Sequence, residues 1–176
     1  MVLQAIKYER GSLQVLDQLR LPHAEVYDEI RSSKDAWHAI KEMRTRGAPA
    51  IAIVAALALA VEIEQIVSEG KLSNIAEEVA AFIIEQLDYL ITSRPTAVNL
   101  ADAARKLKNT VEQVANSGSA DGTAVKDAYV QAAEKMLTDD VSDNEAIGKH
   151  GAEWIKENTR EGRRGSISIL THCNTG

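Results

Sequence analysis

Three short segments of this 176-residue chain carry side chains able to do chemistry, each where a loop is expected to meet the end of a helix or strand. The first is Arg44-Thr45-Arg46-Gly47-Ala48-Pro49-Ala50. A small-residue turn leading into a helix start offers free backbone N–H groups at the positive end of the helix dipole, and Arg46 adds a guanidinium fork, an arrangement suited to a phosphate. The same residues also read as a plain helix-to-helix connection with Gly47 left-handed, and spacing alone favours that reading. The second segment, Arg94-Pro95-Thr96 with Asn99, again sets an Arg and a hydroxyl ahead of a helix start, although an N-capped helix beside a solvated Arg is the simpler reading. The third is Cys173, which closes a short β-branched run and is followed by Asn174-Thr175-Gly176. Ligand crevices of open α/β sheets lie beyond the carboxyl ends of strands, where a thiol near the next helix N-terminus has a lowered pKa. A buried, inert cysteine fits the same spacing equally well. His172 precedes it on the opposite face of the expected strand and reads as structural.

Other chemistries find little support. His23, His38 and His150 share no metal-ligand spacing, and no Walker or Gly-x-Gly-x-x-Gly loop occurs, so no metal site and no nucleotide site of those kinds is expected. The formal charge of −6 argues against nucleic acid as a partner, since the only dense basic group is Arg160, Arg163 and Arg164 in an expected loop over 159–165. A single cysteine precludes an intrachain disulfide and fits a reducing compartment, and residues 1–10 lack a signal-peptide apolar region, so a cytoplasmic setting is expected. The longest charge-free run, 48–61, would be roughly 21 Å long as a helix, short of the ~20 residues of a membrane span, and reads as a buried helix with no membrane partner.

The elements that must position these segments follow from periodicity. Aromatics make up only 4% of the residues, and an apolar content dominated by Ala, Leu, Ile and Val favours packed helices. Two short antiparallel strands are expected around Glu9-Arg10-Gly11-Ser12, and after Pro22 a further extended piece at Val26, Tyr27 and Ile30. Ser33 should cap a first helix carrying Trp37, Ile40 and Met43 that stops before Gly47, and Pro49 suits the first turn of a helix reaching about residue 67. Asn74 should cap a third, with Val79, Phe82, Ile83, Leu87 and Leu90 on one face; a fourth follows Thr96 with Leu100, Ala104, Leu107, Val111 and Val114 inward. Two more stripes read as separate helices. One carries Val125, Tyr129, Ala132 and Met136; the other carries Ile147, Trp154 and Ile155, is entered through Ser142-Asp143-Asn144, and holds Gly148 and Gly151 where close packing is expected. Ile167, Ile169 and Leu170 then predict a strand whose neighbours are absent from the chain.

Taken in order, Arg46-Gly47-Ala48-Pro49-Ala50-Ile51-Ala52, Arg94-Pro95-Thr96-Ala97-Val98-Asn99 and Thr171-His172-Cys173-Asn174-Thr175-Gly176 resemble successive signature segments of the methylthioribose-1-phosphate isomerases. The resemblance runs the whole length, through Ala5-Ile6-Lys7-Tyr8, Arg10-Gly11, Leu16-Asp17-Gln18-Leu19, Asp143-Asn144 and Ile147-Gly148, and is strongest to fungal members. It implies a mainly α protein with a small N-terminal β element: a helical N-terminal domain over 1–160, then at 161–176 the first strand and site loop of a truncated Rossmann-like α/β domain. It also implies an aldose–ketose isomerase of methionine salvage, acting on a sugar phosphate without metal or organic cofactor, homodimeric, and placed in the cytoplasm and also the nucleus. By the same resemblance Arg46, Gly47 and Ala48 contact phosphate or sugar, Arg94 makes a second anion contact, and Cys173 is the catalytic thiol, moving a proton or stabilising the transition state.

The family's proton-donating Asp, a substrate-binding Gln and an Asn-Lys pair would lie beyond Gly176, so the 176-residue chain is expected to be inactive alone. Two alternatives share the architecture. One is a non-enzymatic module like the regulatory subunits of translation initiation factor 2B; the other is a ribose-1,5-bisphosphate isomerase. The Cys173-Asn174-Thr175-Gly176 and Arg46-Gly47-Ala48-Pro49 segments weigh against the first.

Overall fold

Glu9 and Ser12 pair across the two-residue turn Arg10-Gly11, where Gly11 takes the positive φ of 84° that a side chain would disfavour. In the computed structural model, which describes residues 3–158 and 168–170, this turn starts an antiparallel meander. Its strands are β1 (Ile6–Glu9), β2 (Ser12–Leu16) and β3 (Tyr27–Ile30), in that order across the sheet. Alternation decides which face is inward: Leu13 and Val15 of the central strand are buried while Ser12 and Gln14 face solvent.

Five helices follow: α1 (Ser33–Lys41), α2 (Ala48–Ser68), α3 (Ala76–Ile91), α4 (Val98–Ala115) and α5 (Gly122–Asn158). The protein is thus mostly helical with a small three-stranded N-terminal sheet, as the sequence predicts. Helix α2 is buried on nearly every side from Ile51 to Val61 and again at Ile63, and it touches α1, α3, α4, β1 and β2. Its length and apolarity would suit a membrane span, but its surface is used up by the protein's own core. The many Ala side chains let neighbouring helices approach closely, and the Tyr129 hydroxyl of α5 donates to the Ala56 carbonyl at 3.0 Å.

Several helix ends differ from expectation by local hydrogen bonding. Ser32, not Ser33, caps α1: its Oγ accepts from the Asp35 N–H, and Ser33 is buried. At α3 the Ser73 Oγ accepts from the Ile75 N–H and donates to Glu78, while the Asn74 carbonyl accepts from the Gly122 N–H at 2.9 Å. That contact leaves no room at Gly122, where an added Cβ would lie 2.0 Å from the Ser73 carbonyl oxygen. The two expected C-terminal helices are one. Ser142 and Asn144 donate to the carbonyls of Asp139 and Asp140, so these polar side chains bond back into the helix instead of starting a new one. No described atom lies within 4 Å of a Cβ placed on Gly148 or Gly151, so the expected close packing is not seen there.

Residues 168–170 of the expected C-terminal strand are not in a strand, and Ile169 and Leu170 are exposed. The remainder of that strand, the loop with Arg160, Arg163 and Arg164, and the expected domain boundary at 160/161 lie outside the described residues. Backbone proximity divides the chain into Met1–Leu137 and Thr138–Gly176. The first unit holds the sheet, α1 to α4 and the core; the second holds the C-terminal part of α5, with Val141, Ile147 and Trp154 exposed.

Within the first unit the sheet is tied to α5 by one polar clamp. Arg10 donates to both oxygens of Glu134, at 3.0 and 2.7 Å, and the Tyr8 hydroxyl donates to Oε1 at 2.9 Å. The bonds from Arg10, opposed by partial burial and helped by Tyr8, hold the Glu134 carboxyl below its ordinary pKa of 4.5. Burial first, and then the bond to Glu134, push the Tyr8 hydroxyl above its usual range. A carboxylate whose pKa is lower folded than unfolded stabilises above the unfolded value and loses that contribution as pH falls through the folded one. Urea titrations are therefore expected to show stability falling below about pH 4.5, and Glu134→Gln should flatten that part of the profile while lowering stability at neutral pH.

Candidate functional site

The turn between α1 and α2 is built from the end of α1. The Met43 N–H donates to the Ile40 carbonyl, and the N–H groups of Arg44 and Thr45 both donate to the Ala39 carbonyl, at 2.9 and 3.2 Å. Closing the chain this tightly puts Met43 at φ 61°, uncommon for a residue with a side chain. Arg44 anchors the turn to the sheet: its carbonyl accepts from the Gln18 N–H at 2.9 Å, and its half-buried guanidinium pairs with Asp28 of β3 and with Glu42. Thr45 is buried, and its Oγ1 has no hydrogen-bond partner among the described residues.

This anchored turn delivers Arg46, Gly47 and Ala48 to the surface, all three exposed. Gly47 is the N-cap residue of α2 with φ 98° and ψ 130°, so no side chain caps the helix, and Pro49 sits in the first turn as expected. Ile51 donates to the Gly47 carbonyl, whereas the N–H groups of Ala48 and Ala50 have no acceptor among the described residues. No acidic side chain lies in the first turn to offset the helix dipole. Arg46 donates through Nε to the Met43 carbonyl at 3.2 Å, which holds the guanidinium by one edge and leaves its terminal nitrogens without a described partner. The arrangement offers two backbone donors and a guanidinium beside an uncompensated helix N-terminus, the combination that binds an anion.

Arg94 lies in the connection between α3 and α4. Thr92 and Ser93 bond their hydroxyls back to the carbonyls of Tyr89 and Leu90, and the Ala97 N–H donates to the Arg94 carbonyl at 2.9 Å. The N-cap residue of α4 is Ala97, without a side-chain cap, so the expected N-capped start of this helix is not realised. Arg94 is half-buried, and its side chain makes no hydrogen bond or ion pair among the described residues. No direct bond joins it to the Arg46 turn. Both turns instead border α1, through contacts that the sequence did not reveal: Trp37 reaches Thr92, and Ala39 holds Arg44 and Thr45. Cys173 and His172 lie outside the described residues. Among the described residues, no group of three His, Cys, Asp or Glu side chains could hold a metal ion.

Three comparisons bear on what such a chain belongs to. The sequence model of the Initiation factor 2 subunit family matches residues 44–176. The chain is 71% identical over its whole length to a methylthioribose-1-phosphate isomerase of Pyrenophora tritici-repentis, and 60% identical to one of Aspergillus clavatus. It spans 44% and 46% of those two proteins, less than half of each. The 5-methylthioribose 1-phosphate isomerase of Pyrococcus horikoshii OT3 is 30% identical and superposes with a TM-score of 0.74, over 86% of this chain and 40% of that one. The delta subunit of translation initiation factor eIF-2B from A. fulgidus is also 30% identical, with a TM-score of 0.70 over 86% of this chain and 42% of its own.

The left-handed backbone at Gly47 gives the turn a direct check. Gly47→Ala puts a Cβ on a backbone that L-residues rarely adopt, and is expected to destabilise the fold by on the order of 1–3 kcal/mol in urea denaturation. Gly148→Ala, in open helix, should leave stability equal or slightly raised.

Proposed function

The chain belongs to the initiation factor 2 subunit family, and from that premise we propose that it is the N-terminal portion of an isomerase converting 5-methylthioribose 1-phosphate to 5-methylthioribulose 1-phosphate. The observation that carries this reading is the 71% identity, across every residue of the chain, to a relative bearing that activity in its name. The relative spans more than twice this length, so the activity proposed is that of the whole protein.

The substrate sets an unusual problem. Its anomeric oxygen carries phosphate, so the ring cannot open by loss of a hydroxyl proton. A positioned acid and base must instead assist ring C–O cleavage and the transfer between C2 and C1. In this reading the Ala48 and Ala50 N–H groups, with Arg46 beside Gly47, hold phosphate or sugar oxygens, and Arg94 supplies a second cationic contact. Fixed donors of this kind stabilise charge without reorganising as the reaction proceeds. Cys173 is the catalytic thiol, acting as acid or base or stabilising the transition state. The site needs no metal or organic cofactor, and its opposing proton donor lies downstream of Gly176. The proposal extends to a homodimer in the cytoplasm and nucleus, with a helical domain over 1–160 and a Rossmann-like domain beginning at 161.

A regulatory subunit is the competing reading, favoured by the nearly equal superposition on the initiation-factor delta subunit. Turnover separates the two. Joined to the C-terminal remainder of the Pyrenophora relative, the chain should isomerise 5-methylthioribose 1-phosphate, while the 176-residue chain alone should not. Failure of the joined protein to turn over while folded would overturn the isomerase reading. In the joined protein, Cys173→Ala should lower kcat roughly a hundredfold or more, as loss of a general acid or base does. Arg94→Ala should act mainly by raising KM.

A further inference from the structure

The Arg46 and Arg94 turns are separated by 48 residues of sequence and share no direct bond, yet one short helix touches both. At its C-terminal end, α1 holds the first turn through the Ala39 and Ile40 carbonyls. On its side, the Trp37 indole Nε1 donates to Thr92 Oγ1 at 2.8 Å, two residues ahead of Arg94. Thr92 is the C-cap residue of α3, and its hydroxyl in turn donates to the Tyr89 carbonyl at 2.6 Å. The Trp37 ring also stacks on Tyr89, with centroids 6.0 Å apart and planes inclined by 17°. The Lys41 Nζ lies over the Trp37 ring, 5.9 Å from its centroid.

A half-exposed tryptophan at this place does more than fill the core, because the core of α1 is already supplied by Ala36, Ala39 and Ile40. Its hydrogen bond has a fixed direction and a single acceptor, so it fixes where the end of α3 lies along α1. Through α1 it sets the spacing between the two Arg-bearing turns. We propose that Trp37 is a positioning residue for the substrate site, acting through Thr92 to hold the Arg94 turn at a set distance from the Arg46–Ala48 turn. This rests on the isomerase reading above, in which those turns contact the substrate together. Two anion contacts on a rigid small molecule tolerate little error in their separation, so loosening the strut weakens binding and leaves the acid–base step at Cys173 intact.

The test uses the joined protein, with its KM and kcat for 5-methylthioribose 1-phosphate and its thermal midpoint. Trp37→Phe keeps the ring contact and removes the donor; Thr92→Val keeps the shape and removes the acceptor; Thr92→Ser keeps the acceptor. The first two should each raise KM about three- to tenfold with kcat within about twofold, Thr92→Ser should restore KM, and the double variant should be no worse than the worse single, as for two ends of one bond. A merely structural role would lower the thermal midpoint without moving KM, and that result, or additive effects in the double variant, overturns the proposal. A folded parent protein without turnover overturns the isomerase reading and this inference with it, whereas turnover in the parent with unchanged KM in Thr92→Val overturns the inference alone.

Discussion

The burial of α2 governs the rest of this structure. A helix with almost no polar side chains from Ala48 to Val61 cannot present any face to water, so the sheet and the helices α1, α3, α4 and α5 are arranged as its coat. With Ile51 to Val61 buried, the first turn ahead of them is where the helix backbone meets solvent with donors unspent, because Gly47 provides no capping side chain and Pro49 no N–H. The same packing that stabilises the core therefore fixes the position and direction of those unspent donors. Donors held by a core do not have to be ordered when a ligand arrives, which is the physical content of preorganisation.

The polar contacts around this core have a consistent role. Arg10 and Tyr8 close on Glu134 of α5, Arg44 closes on Asp28 of β3, and Glu62 of α2 accepts from the Ser33 N–H at 2.7 Å. The first two tie elements of the coat to one another and the third ties α1 to α2, at edges where side chains remain partly hydrated and a charged pair carries a small desolvation penalty. Thr45 and Ser33, buried with unpaired hydroxyls, show that the coat closes tightly enough around the start of α1 and the turn before α2 to leave even small polar groups without partners.

How much of this was legible in the sequence depends on the range of the interaction involved. Strand alternation at Leu13 and Val15, the stop before Gly47, Pro49 in a first turn and the stripe Leu100, Ala104, Leu107, Val111 are all local patterns, and all stand in the structure. Helix caps differ by a residue or so from expectation because neighbouring hydroxyls compete for them: Ser32 caps α1 in place of Ser33, and Ser73 accepts from the Ile75 N–H at the start of α3. The break expected at Ser142-Asp143-Asn144 rested on propensity, which bonding back to the preceding turn overrides. In the site, Arg46, Gly47 and Ala48 were legible as a unit because they are consecutive. Trp37 was read only as a member of a helical stripe, since its partner Thr92 is 55 residues away and nothing in either local pattern points to the other.

Binding and turnover are separable in such an architecture. The donors at Ala48 and Ala50, the Arg46 guanidinium and the Arg94 turn all belong to Met1–Leu137, the unit that contains the core and the contacts that hold those turns in place. Their described contacts come from Ala39 and Ile40 of α1, from Asp28 of β3, and from Trp37 through Thr92. In the proposed reading Cys173 acts in turnover, as acid or base or by stabilising the transition state, and has no part in holding the anion. In that reading the contacts proposed for the anion can be altered and measured independently of the thiol proposed for the proton step.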